Sequence, residues 1–459
     1  MKADAEKAAR AVFARELEEV KPTKKELEDS VMDINHLTAS LKKIVPKDIE
    51  IRVVGSVVRG TQLRGESDVD VFLLFPKKYK REKITKDGLD YAKRLARASG
   101  DTYEVKYAEH PYARLFVRAL AIRADIVPAY NIDNIEDMST SVDRSPMHAD
   151  FINKHLSTKQ RDEVRVLKHL LKRQGLYGAE VRTSGFSGYL CELLIYQYGS
   201  LTSLMESASS FKPPVLLDPK GRRMLSDPSL VKRFNSMFIV IDPVDRERNV
   251  AAGVSTETLA RFVLLCRKFT KKPSASFFNR GGFSSPKVKE MLGSFMRSTG
   301  LDMYAIATRL PDKSEDIVWP QLRKVLEMVE VYARSFGFSI YLSMPLVVGA
   351  TGLLVFFAPK ETFRTHMRKG PSVFIRKAQE EFEKAHRDAK GMLVTDDILY
   401  ALEKNEYDDI GSLMRSVASG RVVGRRKDIN LRNSKLFVNQ LPQKETEAVY
   451  AALAKTLGF

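Results

Sequence analysis

The chain of 459 residues is poor in groups that build covalent or soft-metal sites: it holds two cysteines, one tryptophan and seven histidines. Cys191 and Cys266 cannot make a disulfide framework or a cysteine zinc site, and each falls in an apolar helical stretch where a thiol serves as packing. Apolar runs long enough to span a bilayer are also missing, which excludes a helical membrane protein. The longest candidate, "MPLVVGATGLLVFFAP" from Met344 to Pro359, is broken by Gly349 and Gly352 and reads as strand, turn, strand. The opening "MKADAEKAARAVFARELEEV" is charged and helical and lacks the apolar centre of a signal peptide, so a cytoplasmic protein is expected. No internal repeat or low-complexity segment is found, which argues against a solenoid.

What is present in excess is positive charge. Seventy-six Lys and Arg against 58 Asp and Glu leave a net charge of +18. A polyanionic partner is the leading physical explanation, because neutralising phosphates supplies most nonspecific nucleic-acid affinity. A hydrophobic content of 44% with 29% charged residues describes a globular protein. At this length about two to four domains are expected.

The texture of the chain changes along its length. Two helical patterns from about Ala3 to Lys43 meet at "KPT", where Pro22 interrupts the first. Five short runs then read as strands: "IEIRVVG" (Ile49 to Gly55), "VDVFLLF" (Val69 to Phe75), "YEVKYAE" (Tyr103 to Glu109), "ARLFVRALA" (Ala113 to Ala121) and "RADIVPA" (Arg123 to Ala129). A helix at "DGLDYAKRLARA" separates the second from the third. Helical periodicity dominates from Ser145 to Leu204, and "GFSGYLCELLI" reads as a buried helix with Phe186, Tyr189, Leu190 and Leu193 in the core. After Gly281 helices and strands alternate, with helices expected at "EDIVWPQLRKVLEMVEVYARSFGF" and "PSVFIRKAQEEFEKAHRD". The expected fold class is therefore α/β and α+β multidomain: a mixed-sheet domain over 1–140, a helical middle domain over 141–270 and an α+β region over 271–459.

In "GSVVRGTQLRGESDVDVFLLF", Gly55 to Phe75, a strand that reads as buried begins with two acids. Side chains two apart on a strand share a face, so Asp68 and Asp70 project together. Like charges this close need protons or cations between them, and hard carboxylate oxygens suit Mg²⁺, which shares its shell with substrate phosphates. Asp125 in "RADIVPAY" could reach the same edge from a neighbouring strand. Three carboxylates could then hold two Mg²⁺ ions about 3.5 to 4 Å apart, which clamp the attacking and leaving oxygens of an in-line phosphoryl displacement. Just upstream, Gly55 and Ser56 follow "IRVV" in a turn able to aim N–H groups and a hydroxyl at phosphate, with Arg59 opening a short helix beside them. Taken alone, Asp-x-Asp is often a solvated strand end; together these signals resemble the nucleotidyltransferase superfamily related to DNA polymerase beta.

A closer resemblance covers about the first two thirds of the chain. "GSVVRGTQLRGESDVDVFLLFP", "YAEHPYARLFV", "ADIVPAY", "SVDRSPMH", "RVLKHLLKRQGLYGAE", "SGFSGYLCELLI", "VIDPVDRERNVAA" and "LARFVLLCRKF" are similar, in this order, to blocks of the archaeal, class I tRNA CCA-adding enzymes. "DIVWPQL" extends the likeness; from roughly Pro345 no close match is made. The resemblance implies a template-independent polymerase that restores the 3′ CCA of tRNA from CTP and ATP. It implies a nucleotidyltransferase catalytic domain, then a nucleotide- and primer-binding helical domain, then a tRNA-binding C-terminal region.

By the same resemblance Asp68, Asp70 and Asp125 hold two Mg²⁺ ions, and Gly55, Ser56 and Arg59 attend the nucleotide's phosphates and sugar. His148, Lys168, Tyr177 and Arg248 match nucleotide-binding positions of the helical domain. Without the family these four read as a lone His, a solvated Lys, a packing aromatic after the capping Gly175, and a surface Arg. Val57 and Val58 stand where the family pattern leads one to expect an aromatic or small pair, so contacts around the sugar differ locally. Expected partners are tRNA, through its acceptor and T-arm, and CTP and ATP; homodimers are common in the family. Basic stretches at Phe278 to Lys289 and Ser419 to Lys435 suit phosphate contacts, and equally suit solvated faces. Two other readings stand beside this one: a poly(A) polymerase or other adenylyltransferase of the superfamily, and a non-catalytic RNA-binding protein.

Overall fold

The computed structural model describes residues 3–66, 68–106, 111–118, 122–279, 285–420, 429–432 and 434–457. Parts of the expected strands at 107–109 and 119–121, and of the basic stretches at 280–284, 421–428 and 433, lie outside those residues. Two compact units are formed, Met1–Arg280 and Gly281–Phe459.

The first unit opens with helices α1 (Ala3–Val20) and α2 (Lys24–Lys42). Pro22 stands in the break between them, and Thr23 starts α2 with a capping box in which Thr23 and Glu26 satisfy each other's backbone N–H groups. Then follow β1 (Glu50–Val54), α3 (Gly55–Arg59), β2 (Asp68–Phe75), α4 (Arg81–Ser99), β3 (Thr102–Lys106), β4 (Tyr112–Val117) and β5 (Ile122–Tyr130). The five strands form a mixed sheet in the order β1-β2-β5-β4-β3, with β2 and β5 parallel and every other pair antiparallel.

Alternation along these strands decides what each face meets. Val69, Val71, Leu73 and Phe75, with Ala124 and Ile126, join Leu37 and Leu41 of α2 and Ile84, Tyr91 and Leu95 of α4 in one apolar layer. The opposite parity puts Phe72 and Leu74 with Val127 and Ala129 in a smaller cluster. Gly88 lets α4 approach β5, since a Cβ there would stand 2.6 Å from Pro128.

Helices α5 (Ser145–His155), α6 (Thr158–Arg173), α7 (Gly188–Tyr198) and α8 (Leu201–Ser209) come next, as the periodicity leads one to expect. Strands β6 (Val215–Asp218), β7 (Arg223–Met224) and β8 (Phe238–Val240) make a small sheet, with α9 (Pro228–Phe234) between the last two, and α10 (Thr256–Lys271) closes the run. Serines 157, 187, 200 and 255 cap α6, α7, α8 and α10. The core here is dominated by α6, α7, α8 and α10, and both cysteines are buried in it as free thiols. Ala9 and Phe13 of α1 join the same core, where Phe13 stacks on Phe269 at 5.1 Å. Phe186, Leu190 and Leu193 are fully buried, as expected; Tyr189 is not, because its hydroxyl seeks a polar partner described below.

In the second unit α11 (Ser285–Thr299), β9 (Leu301–Arg309), α12 (Glu315–Ser335), β10 (Leu342–Val348), β11 (Thr351–Pro359), β12 (Thr365–Ser372), α13 (Arg376–Ala385), β13 (Gly391–Thr395), β14 (Ile398–Lys404), α14 (Ile410–Ala418), β15 (Lys435–Val438) and α15 (Gln443–Leu457) follow in order. The Gly-broken run forms the hairpin β10–β11 as read from the sequence. The antiparallel sheet β10-β11-β9-β15 is covered on both faces: Tyr304, Ile306, Leu354 and Phe356 meet α12 and α14, while Met303, Ala305, Val355 and Phe357 meet α11 and α15. Helix α13 begins five residues after the expected Pro371, because that stretch first completes β12 and a turn.

Candidate active site

The acids at the start of β2 alternate with Val69 and Val71, which are drawn into the apolar layer, so Asp68 and Asp70 turn to the other face. Parallel pairing then sets Asp70 directly beside Asp125 of β5, and Asp68 beside Arg123. The sequence expectation that a second strand brings Asp125 to the same edge is met by this register. On the far side of β5, Arg114 of β4 stands opposite Asp125 and donates two hydrogen bonds of 2.7 Å from Nε and Nη2 to its two oxygens. Arg123 Nε lies 2.7 Å from Asp68 Oδ1. Among the described residues, the aspartates do not form a set whose carboxylate oxygens all lie within 4.8 Å of one another. Two of them are engaged by arginines instead.

Among the described residues Asp70 has no such arginine partner. Burial, and then the charge of Asp125, push its carboxyl up to about 6. Its wall is Gly55, with φ +86, where a Cβ would stand 2.2 Å from Asp70 Oδ2. Any side chain here would fill the cradle beside the carboxylate. Helix α3 therefore starts at Gly55 directly from β1, and Arg59 closes this helix where the sequence reading has it opening one. Gly60, at φ 62, ends the turn by donating to Ser56 O and Val57 O. Ser56 is half-buried, and Val58 is exposed.

Behind α3 lies a buried polar cluster. Arg59 Nε donates to Glu192 Oε1 at 3.0 Å, and Thr61 Oγ1 to the same oxygen at 2.5 Å. Lys168 Nζ donates to Thr61 O at 3.0 Å and Thr61 Oγ1 at 3.3 Å. Lys168 on α6 is 2% exposed, which overturns the solvated-face reading of that residue, and burial pulls its pKa down against the pull of Glu192. Tyr177 joins the group: an ideal Cβ on Gly188 would lie 3.1 Å from its hydroxyl and 3.5 Å from Lys168 Nζ. Gly175 lies just past the end of α6 at φ +65, the capping place expected of it.

A second cluster centres on Asp242, fully buried in the loop after β8. His148 Nε2 lies 2.8 Å from Asp242 Oδ2, Arg248 Nη1 donates to the same oxygen at 2.8 Å, and Tyr189 Oη donates to Oδ1 at 3.2 Å. The His148 and Tyr189 rings stack at 4.1 Å. Burial would raise the Asp242 carboxyl, but hydrogen bonds from His148, the Val244 N–H and Arg248 overcome it and bring it to about 2. Burial pulls the His148 pKa below the ordinary histidine value, against the opposing pull of Asp242. Ala149, next along α5, packs with Phe72, Leu74 and Val127 on the aspartates' face of the sheet.

The structure thus gathers the expected residues into three groups: Asp68, Asp70, Asp125 and Gly55; Arg59, Lys168 and Tyr177; His148 and Arg248. Sequence reasoning missed Glu192, Thr61, Asp242, Tyr189, Arg114 and Arg123. Two carry a signal in hindsight: Arg123 lies two residues before Asp125 on β5, and Asp242 is close in sequence to its partner Arg248; the partners of Glu192, Thr61, Tyr189 and Arg114 are brought in only by packing and strand register.

A mixed sheet with paired strand acids, a Gly-Ser turn and a helical annex is the architecture of a nucleotidyltransferase. Three family models match: the nucleotidyltransferase domain at 34–152, the tRNA nucleotidyltransferase second domain at 162–279, and the CCA-adding enzyme C-terminal domain at 299–435. The last extends past Pro345, where motif likeness had ended. A CCA-adding enzyme of Methanocaldococcus jannaschii is 33% identical over 433 residues, covering 92% of this chain and 94% of that protein. One of Sulfolobus acidocaldarius is 32% identical, covering 88% and 86%. A solved Cid1 poly(U) polymerase is 15% identical with a TM-score of 0.49, over 61% of this chain and all of that one. The chain belongs to the family of archaeal CCA-adding enzymes. Nucleotidyltransferases of this kind use divalent metal ions. No described helix is long and apolar enough to cross a membrane.

Proposed function

We propose that this chain adds and repairs the 3′-terminal CCA of tRNA from CTP and ATP, releasing pyrophosphate. The observation that supports this most directly is Asp70 set in register beside Asp125 against the Gly55 wall. Two facing carboxylates, one of them held near 6, are a donor set that a divalent cation would relieve. Asp68, Asp70 and Asp125 would hold two Mg²⁺ ions, with Arg114 and Arg123 as the counter-charges of Asp125 and Asp68 without them. When bound, such ions offset triphosphate charge and loosen the proton of the attacking hydroxyl.

The chain's own residues do the positioning. In the reaction the tRNA 3′ oxygen forms a bond to the α-phosphorus, and the bond from that phosphorus to the β-phosphate bridge breaks. Gly55 lets backbone and Ser56 hydroxyl come close to phosphate oxygens, and Arg59, braced by Glu192, is pre-set to offset their charge. Lys168 acts through Thr61, fixing the end of α3. Arg248, held by Asp242, would offer the remaining N–H groups of its fork to a base edge, with His148 stacked on Tyr189 beside it. A buried polar site left unpaired by G or U penalises the wrong nucleotide. The tRNA acceptor and T-arm, and a homodimer working in the cytoplasm, follow from the family likeness; basic residues after Phe269 are the proposed RNA contact.

The test is incubation of the protein with tRNA lacking its last three nucleotides, Mg²⁺, and CTP with or without ATP, followed by sequencing of the ends. Ends extended by C alone without ATP, and by CCA with a stop when ATP is present, support the reading. Runs of A on any RNA would show a poly(A) polymerase, and Mg²⁺-independent binding without extension would show an RNA-binding protein.

A further inference from the structure

Away from the aspartates, α1 and α6 bring together three side chains that none of the reaction chemistry uses. Glu16 and Glu19 lie one helical turn apart on α1, and His169 lies on α6, beside Lys168 in sequence. One oxygen from each glutamate and one ring nitrogen of His169 all stand within 4.8 Å of one another. Among the described residues this is the one set of three or more His, Cys, Asp or Glu groups that closes so far.

The burial makes the arrangement informative. Glu16 is 4% exposed and His169 7% exposed, yet His169 Nε2 finds no hydrogen-bond partner among the described residues. Glu16 Oε2 faces it at 3.6 Å, too far for a hydrogen bond. Two ligands each about 2.0–2.1 Å from one small cation in tetrahedral array stand about 3.4 Å apart. The gap is thus close to the span of two ligands that share an ion. The ring is held in place by stacking on Phe278 at 5.6 Å, and Glu19, on the exposed side, leaves room for water as a further ligand.

We propose that Glu16, Glu19 and His169 form a binding site for one first-row divalent cation of the Zn²⁺ type, separate from the aspartate site. The imidazole decides the class: Mg²⁺ takes oxygen ligands and dehydrates reluctantly, whereas Zn²⁺ accepts one nitrogen with carboxylate oxygens and ranks above Mn²⁺ and Fe²⁺ in affinity for such a set. The cationic neighbours Arg15, Lys172 and Arg173 keep the site from being strongly anionic, so the affinity is moderate. The ion staples the N-terminal helix to α6, the helix whose next residue upstream, Lys168, braces Thr61.

The experiment uses the full chain stripped with a chelator. Zn²⁺ is titrated by calorimetry, Co²⁺ by its visible absorption, and the thermal midpoint is followed with each. Expected are one Zn²⁺ bound besides any ion at the aspartates, intense Co²⁺ bands typical of a tetrahedral site, and a rise in midpoint. Glu19→Gln, at an exposed position that does not threaten folding, weakens Zn²⁺ binding by about tenfold or more, and His169→Ala removes the Co²⁺ bands. Asp70→Asn leaves both intact. Absence of Zn²⁺ binding, binding that Glu19→Gln leaves unchanged, or binding lost with Asp70→Asn overturns the proposal.

Discussion

Arg59 and Glu192 meet across more than a hundred residues of sequence, Nε to Oε1 at 3.0 Å, with the carboxylate wholly buried and Thr61 on the same oxygen. Lys168 is the fourth member of this group. Two cations and one carboxylate buried together are stable only as a set.

Removing the carboxylate leaves Arg59 and Lys168 uncompensated. Glu192→Ala is expected to destabilise the protein by about 3–5 kcal/mol in denaturant unfolding. Glu192→Gln keeps the shape and a hydrogen-bond acceptor, so it costs less stability. It still loosens Arg59, and steady-state kinetics should show a raised KM for CTP and ATP. Equal KM values in wild type and Glu192→Gln would remove Glu192 from the positioning of Arg59.

Gly55 carries a tighter constraint. Its left-handed backbone would cost a β-carbon about 1–2 kcal/mol, and that carbon would stand 2.2 Å from Asp70 Oδ2. Gly55→Ala is therefore expected to lose activity out of proportion to stability, because the displaced group is a carboxylate of the site. Unfolding curves run beside extension assays measure the two effects separately.

The carboxylates themselves are tested by Asp70→Asn and Asp125→Asn, each expected to cut extension of tRNA by more than about a hundredfold while the fold persists. Removing divalent ions with a chelator should reproduce that loss in the wild type. Full activity in either variant would refute the assignment.

Opposite pH signatures are expected from two carboxyls. Asp70 is raised from 3.8 to about 6, so between those values the folded state binds more protons than the unfolded one. Its contribution to stability is present below pH 4 and falls as pH rises to about 6, by at most about 3 kcal/mol. Asp242 is lowered from 3.8 to about 2; its contribution is present above pH 4 and is lost as pH falls through about 2. Denaturant unfolding in metal-free buffer checks both: the difference between wild type and Asp70→Asn should change between pH 4 and 6, and Asp242→Asn should flatten the acid limb.

Much of the secondary structure was legible because its causes are local. The five strands of the catalytic sheet, the hairpin broken by Gly349 and the joint at Pro22 each follow from residues within a few positions of one another. The face shared by Asp68 and Asp70 was legible for the same reason, period two along a strand. Helix α13 starts later than its local helix signals suggest because β12 runs on through Pro371, which pairing with β14 favours.

By itself, then, the amino-acid order determined the strand acids, the Gly-Ser turn, the caps, the basic excess and the family blocks. Only the tertiary structure decided which polar groups meet: Arg114 with Asp125, Glu192 with Arg59, Asp242 with His148 and Arg248, and His169 facing Glu16. The physical reason is that a patterned segment answers to its neighbours in sequence, whereas a buried charge answers to whatever strand register and helix packing bring within a few ångströms.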